Sequence, residues 1–307
     1  MTGFGLGPMP GTSMSEAADI VMGETGALPH LPQLPDRGLG SDAIGRTAGL
    51  LEALTVDRGP RSWQMTARPQ RETRRVWDRM ERDLDAIVEV WGEHVPRVKI
   101  QAVGPWTLAA AVELSNGHRV ITDRGAREDL HAALLEGIQA HSAEVARRFN
   151  SEVVLQLDEP QLADALVGRI PGTTDFDPIR AVPEEVAIAR LEELGADYLR
   201  AGNLWPLASA GTLLVDFAGL DTPANLDGLG EHLEASRRVG LALDPRTFTD
   251  ARAAAIAVAQ HVDRLGHSRE LLVTHVDINP WPVRDAARDY RFAAEVAGML
   301  ERDAGDL

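Results

Sequence analysis

The sequence predicts an α/β protein, and within that class a single (β/α)8 barrel of the TIM type, on three observations. Apolar, strand-like runs alternate with segments of helical periodicity, which implies right-handed βαβ units and a parallel sheet. Eight such runs in a chain of 307 residues suit closure into a barrel better than an open, doubly wound sheet. Neither a Gly/Ser-rich linker nor an internal repeat divides the chain, so residues 1–307 are read as one domain.

In order along the chain, the strand-like runs are residues 3–6, 62–66, 98–103, 153–157, 198–201, 212–215, 240–243 and 271–276. The run at 153–157 shows the signal best: Val153, Val154, Leu155 and Leu157 are nearly continuous in apolar character, as in a strand covered on both faces. It stops on Asp158 and Glu159, and Pro160 cannot continue a ladder. Helical patterns fall at 71–91, 123–149, 183–194, 224–238, 250–265 and 283–301. In the second, Leu130, Leu134 and Ile138 form one stripe, Arg127, Glu128 and Glu136 fall among the polar positions, and Thr122-Asp123 offers a capping side chain. The stretches 8–40 and 168–180 are rich in Gly and Pro and read as long loops that cover a site.

Composition removes several functional classes. With 47 acidic against 31 basic residues the formal net charge is -16, which repels phosphate backbones and anionic lipid, so neither nucleic acid nor membrane is expected as a partner. The absence of Cys excludes disulfides, Cys-zinc sites and thiol nucleophiles from this chain. No window approaches the ~18–20 apolar residues of a membrane span, and MTGFGLGPMPG has neither the basic start nor the apolar core of a signal peptide; a soluble, cytoplasmic protein is the expectation.

In a barrel, chemistry gathers at the C-terminal ends of the strands. Acids dominate the positions assigned there: Glu24, Asp158, Glu159, Asp216, Asp244 and Asp277. Clustered carboxylates suit an ammonium-bearing ligand, a cation or acid–base work, whereas a single one also serves as the cap of the helix that follows. Trp106, in GPWT, either lines a pocket for a flat ligand or packs in the core. His30, His94, His118, His131, His141, His232, His261 and His267 lack metal-ligand spacing and read as solvated, as does the basic stretch RPQRETRR at 68–75.

Three segments carry a family resemblance. MGE at 22–24, QAVGPWTLAA at 101–110 and VLQLDEPQL at 154–162 resemble, in this order, motifs of the cobalamin-independent methionine synthase catalytic domain. GETGALPHLPQLPDRG and VKIQAVGPWTLAAAVEL are similar to the short, single-domain actinobacterial relatives of that enzyme, and the likeness extends to EVAGML near the C-terminus. The resemblance implies a (β/α)8 barrel of the superfamily shared with uroporphyrinogen decarboxylase. It further implies methyl transfer from 5-methyltetrahydrofolate to homocysteine held as a zinc thiolate. By the same resemblance Glu24 and Asp158 hold the amino group of the acceptor; Glu159 and Trp106 are further candidates for binding it.

The chain departs from that family at the zinc. The family's His and Cys after the fifth strand meet YLRAGNLWPL here, Asp216 falls near the family's Glu, and Asp277 in VTHVDINP stands about where a Cys would be. With His275 these are the only residues offered to a metal, so zinc, expected from the family, lacks its thiolate and imidazole ligands. The methyl donor implied is a folate or, since short relatives lack the N-terminal half of the full enzyme, a methylated corrinoid protein. A non-catalytic sensor of an amino acid or one-carbon metabolite is the alternative. A uroporphyrinogen-decarboxylase-like enzyme is a further one, set back by the lack of any Arg or Lys in the first 36 residues.

Overall fold

Five of the apolar runs pair side by side with a sixth strand that starts where the run at 271–276 ends, each parallel to its neighbour. The computed structural model describes residues 1–172, 178–303 and 305. Its first half contains helices α1 (Met14–Thr25) and α2 (Ala43–Ala48), a hairpin of β1 (Thr55–Arg58) and β2 (Trp63–Thr66), and helix α3 (Arg71–Trp91). Then come β3 (Arg97–Val103), α4 (Pro105–Ala111), the short β4 (Val112–Glu113), α5 (Arg124–Phe149), β5 (Glu152–Asp158) and α6 (Leu162–Leu166). The remainder runs α7 (Glu184–Leu194), β6 (Tyr198–Arg200), β7 (Thr212–Asp216), α8 (Pro223–Glu234), β8 (Val239–Leu243), α9 (Ala251–Arg264), α10 (Glu270–His275), β9 (Val276–Pro280) and α11 (Ala286–Asp303).

The main sheet is curled and parallel, in the order β3-β5-β6-β7-β8-β9. Sequential strands lie next to each other, with helices crossing between them, as short right-handed connections require. Two extended segments continue the hydrogen bonding from the sheet's edges. The Ile278 amide of β9 donates to the Thr2 carbonyl, and the Ile278 carbonyl accepts from the Phe4 amide, both at 3.0 Å. On the other side Lys99 of β3 donates to the Pro29 carbonyl at 2.8 Å and accepts from Leu31 at 2.9 Å. The two segments meet where Met9 donates to Gln33 and Gln33 to Gly7, both at 3.0 Å.

The regular sheet thus has six strands rather than eight, and the differences have local causes. The run at 3–6 makes only an isolated bridge to Ile278, because its alternating glycines and the following Pro8 and Pro10 support no ladder. The run at 62–66 is β2, which pairs with β1 and β4 outside the main sheet; the place expected for it is taken by residues 29–33. The run at 271–276 is mostly helix α10, and β9 begins only at Val276. The supposed loop at 8–40 contains α1 and this bridged segment. Of the supposed loop at 168–180, residues 173–177 lie outside the described residues.

Helices on the outside bury their apolar stripes against the sheet. In α5 the stripe of Leu130, Leu134 and Ile138 is buried, Asp123 caps the first turn by accepting from Ala126 at 2.8 Å, and Asn150 ends it in the left-handed region at φ 46°. In α3 the buried positions are Val76, Leu84, Ile87 and Trp91, each contributing roughly 1.5–3 kcal/mol of transfer free energy. Among the described residues no helix is long and apolar enough to cross a membrane.

Candidate ligand site at the C-terminal edge of the sheet

The strand register places a column of polar side chains on one side of the sheet. Lys99, Gln101 and Val103 of β3 pair with Val154, Gln156 and Asp158 of β5, and Gln156 and Asp158 pair with Tyr198 and Arg200 of β6. Since parallel partners share a face, Lys99, Gln156, Asp158 and Arg200 lie together, as do Asp277 and Asn279 two strands beyond β7. Phe4, Leu6, Val154, Tyr198 and Leu214 form a separate apolar cluster on this side, with Trp281 packed against it.

The polar groups form a chain that climbs toward the C-terminal edge. The Lys99 ammonium donates to Gln156 Oε1, and the Gln156 amide donates to Asp158 Oδ1 at 2.8 Å and to the Leu6 carbonyl at 2.9 Å. Lys99 also stands 5.4 Å from the centroid of the Phe4 ring. Burial pushes the Lys99 ammonium down to about 7, against the pull of Asp158, while the charge of Arg200 lowers it further. Burial likewise raises the Asp158 carboxyl, and Arg200, Gln156 and Lys99 oppose that rise. The Arg200 guanidinium rests 3.9 Å over the Trp281 ring.

Glu159, next to Asp158, has a different task. Its carboxylate accepts from the amides of Trp106 and Thr107 at 2.9 and 2.7 Å and from the Thr107 hydroxyl at 2.6 Å. It therefore caps the first turn of α4 from the neighbouring strand, and burial still pushes its carboxyl up to about 7. Gly104 gives it room, because a Cβ there would stand 2.4 Å from Glu159 Oε1. The GPWT and DEP segments interlock through these contacts, which is a structural reason for both motifs.

Trp106, at the start of α4, packs among the helices. Its indole donates to the Ala187 carbonyl of α7 at 3.4 Å and has the Arg127 guanidinium 5.9 Å from its centroid. It lines a cavity of about 420 Å3 between α5 and α7, not the polar column.

The structure does not bring Glu24 to Asp158. Glu24 sits in the last turn of α1, and its carboxylate pairs with Arg291 of α11, through Nη2 and through Nε at 3.2 Å. Helix α1 runs back toward the N-terminal ends of the strands, and His30, shortly after it, bridges Lys99 near the start of β3. Asp158 is the last residue of β5.

Nor do Asp216, His275 and Asp277 meet. Asp216 is exposed at the C-terminal end of β7. Asp277 lies near the N-terminal end of β9, fully buried, with both oxygens 2.7 Å from Arg238 Nη2 and further bonds from the Thr2 amide at 2.9 Å and the Tyr198 hydroxyl at 3.3 Å. His275 closes α10, with its Nδ1 2.6 Å from Thr274 Oγ1. Among the described residues no three His, Asp or Glu side chains gather in a form that could hold a metal ion. The chain has no cysteine to offer zinc, and Asp216 and Asp277 stand at opposite ends of the sheet.

Several residues at this edge escaped the sequence reading. Lys99, Gln101, Gln156 and Arg200 interrupt apolar strands at alternate positions, and that pattern was the available signal. Asn279 is fully buried, two residues before Trp281, and among the described residues neither of its amide atoms has a partner. Of the histidines read as solvated, His30, His131, His232 and His261 are buried. His30 is held edge-on to Tyr290, with its Nε2 3.2 Å from the hydroxyl.

Fold and site together define an α/β protein with a curled parallel sheet and a polar column ending in an aspartate and an arginine. No family model and no curated protein matches the chain. Among solved structures it is similar to a methyltransferase from Methanosarcina mazei, with 13% identity over 94% of this chain and 84% of that one and a TM-score of 0.39.

Proposed function

We propose that this protein is a methionine-synthase-like (β/α)8 barrel that binds a small amino acid, homocysteine or a similar thiol amino acid, at its C-terminal mouth as the acceptor of a methyl group. The six-stranded sheet and the two bridged segments at 2–9 and 29–33 count eight members, which supports the barrel reading. The observation that carries the ligand reading is Asp158: a buried carboxylate at a strand's C-terminal end, held by Gln156. An ammonium entering a partly dry site needs such a partner, since an unpaired charge there is costly. Glu24 has no part in this reading, because it is engaged with Arg291. The methyl donor is a folate or a methylated corrinoid protein, in keeping with the resemblance in GPWT and DEP.

A second reading is a binding protein without turnover. It is favoured by the donor set, which does not fit a thiolate-forming zinc. One pair of experiments separates the two. In calorimetry with homocysteine, Asp158→Asn is expected to weaken binding by roughly 1.5–3 kcal/mol, the range for a hydrogen bond to a charged group; equal affinity in the variant removes the amino-acid reading. Mass spectrometry of homocysteine incubated with protein and methyltetrahydrofolate or methylcobalamin then detects methionine if transfer occurs, and binding without methionine leaves the sensor.

A further inference from the structure

The Asp158 and Arg200 charges at the C-terminal edge act on each other, but no ion pair closes between them. Asp158 is tied into the Lys99–Gln156 chain. Arg200 stands beside it on the same face, and among the described residues its guanidinium has no hydrogen-bonded or ion-paired acceptor. Its contact is the Trp281 indole, 3.9 Å away. Stacking of this kind fixes the guanidinium plane while leaving its N–H fork open, the posture from which arginine takes an anion with two parallel hydrogen bonds. Two residues before Trp281, Asn279 is fully buried, and among the described residues neither atom of its amide has a partner. Trp281 also lines a cavity of about 190 Å3 with Met9, Val283, four prolines and Asp36. That volume is smaller than the ~300 Å3 at which drug-sized pockets begin, and its wall, apolar except for Asp36, suits a short aliphatic or thioether side chain.

Resting on the amino-acid reading above, we propose that Arg200, braced on Trp281, is the anion anchor of this site. It binds the carboxylate of an α-amino acid whose ammonium goes to Asp158 and whose side chain lies against Met9 and the prolines. The site then selects zwitterions, and neither a simple amine nor a simple carboxylate satisfies both ends.

Calorimetry with three probes tests this: methionine, its decarboxylated amine and its deaminated acid. The wild-type protein is expected to bind methionine about 10- to 100-fold more tightly than either truncated probe. Arg200→Gln should lose a similar factor for methionine and for the acid while leaving the amine unchanged. Asp158→Asn should do the reverse, sparing the acid. Arg200→Lys keeps the charge but not the fork and should recover part of the methionine affinity; it also carries the test if Arg200→Gln fails to fold. An amine bound as tightly as methionine, or an Arg200→Gln variant that weakens amine and methionine alike, overturns the anchor. Methionine binding that depends on Asp158 but not on Arg200 removes the anchor and keeps the amino-acid reading. If the wild-type protein binds none of the three, both fall.

Discussion

At the scale of single residues, Glu159 shows how burial sets a pH dependence. Its carboxyl is pushed by burial from 4.5 up to about 7 although three donors converge on it. The folded state therefore holds this proton more tightly than the unfolded chain, and stability from this group is complete below 4.5 and lost as pH rises through about 7. The expected loss is on the order of 3 kcal/mol, at about 1.36 kcal/mol for each tenfold difference in proton affinity. Glu159→Gln cannot ionise, so urea unfolding from pH 4 to 8 should show the wild-type protein losing stability relative to the variant across that window. A constant difference would mean that the capping bonds outweigh burial. The DEP acids were legible because an apolar strand ends abruptly on them, but their division of labour was not. Nothing in the string distinguishes Asp158, aimed along its strand's inner face, from Glu159, turned back to α4. Arg200 was overlooked because acids drew attention at the strand ends, although YLR places a charge where alternation predicts the inner face.

Single elements are held by equally specific contacts. The hairpin β1–β2 lies outside the main sheet, and Asp57 fastens it to α3. The Asp57 carboxylate accepts from the Thr73 amide and hydroxyl, both at 2.9 Å, and from the Arg58 amide at 2.7 Å. Burial works to raise this carboxyl, but the bonds from Thr73, Arg58 and Glu72 together bring it below 3.8. That stability is present above 3.8 and lost as pH falls through the lower folded value. Asp57→Ala is expected to cost about 1–3 kcal/mol, through loss of a cap and unsatisfied amides, and to raise amide exchange in β1 and the first turn of α3 before the main sheet responds. Unchanged protection there would show that the hairpin is held by its apolar contacts alone. Long helices and central strands were legible from periodicity, with ends within a few residues. Short apolar runs were not: LLVTHV reads equally as helix or strand, and it is largely α10. Helix α1 was hidden because prolines and glycines crowd both its flanks, and with it went the correct placing of Glu24.

For the whole molecule, the decisive region is the pair of bridged segments that join β9 to β3. They have few ladder bonds, so their position rests on packing against the helices outside. Gly3 is central to that packing, since a Cβ there would lie 2.9 Å from Ala294 Cα and 3.0 Å from the Ala293 carbonyl oxygen, both backbone atoms of α11. Backbone of a packed helix cannot give way as a flexible side chain can, so Gly3→Val must push either the segment or α11 aside. The bonds at risk are those of Ile278 with Thr2 and Phe4, and the next inward side chain, Phe4, would carry its contact with Tyr198, at a ring separation of 4.9 Å, away with it. A cost of about 1–3 kcal/mol is expected, the usual range for overpacking. The spatial pattern is the sharper readout. If residues 2–9 close the sheet into a barrel, hydrogen exchange in Gly3→Val should speed up at Phe4, Met9, Gln33 and Ile278 while Leu155 and Leu157 of β5 keep their protection. Exchange that rises uniformly would show one cooperative unit, and exchange unchanged at Gln33 would show that the two segments do not depend on each other for their place.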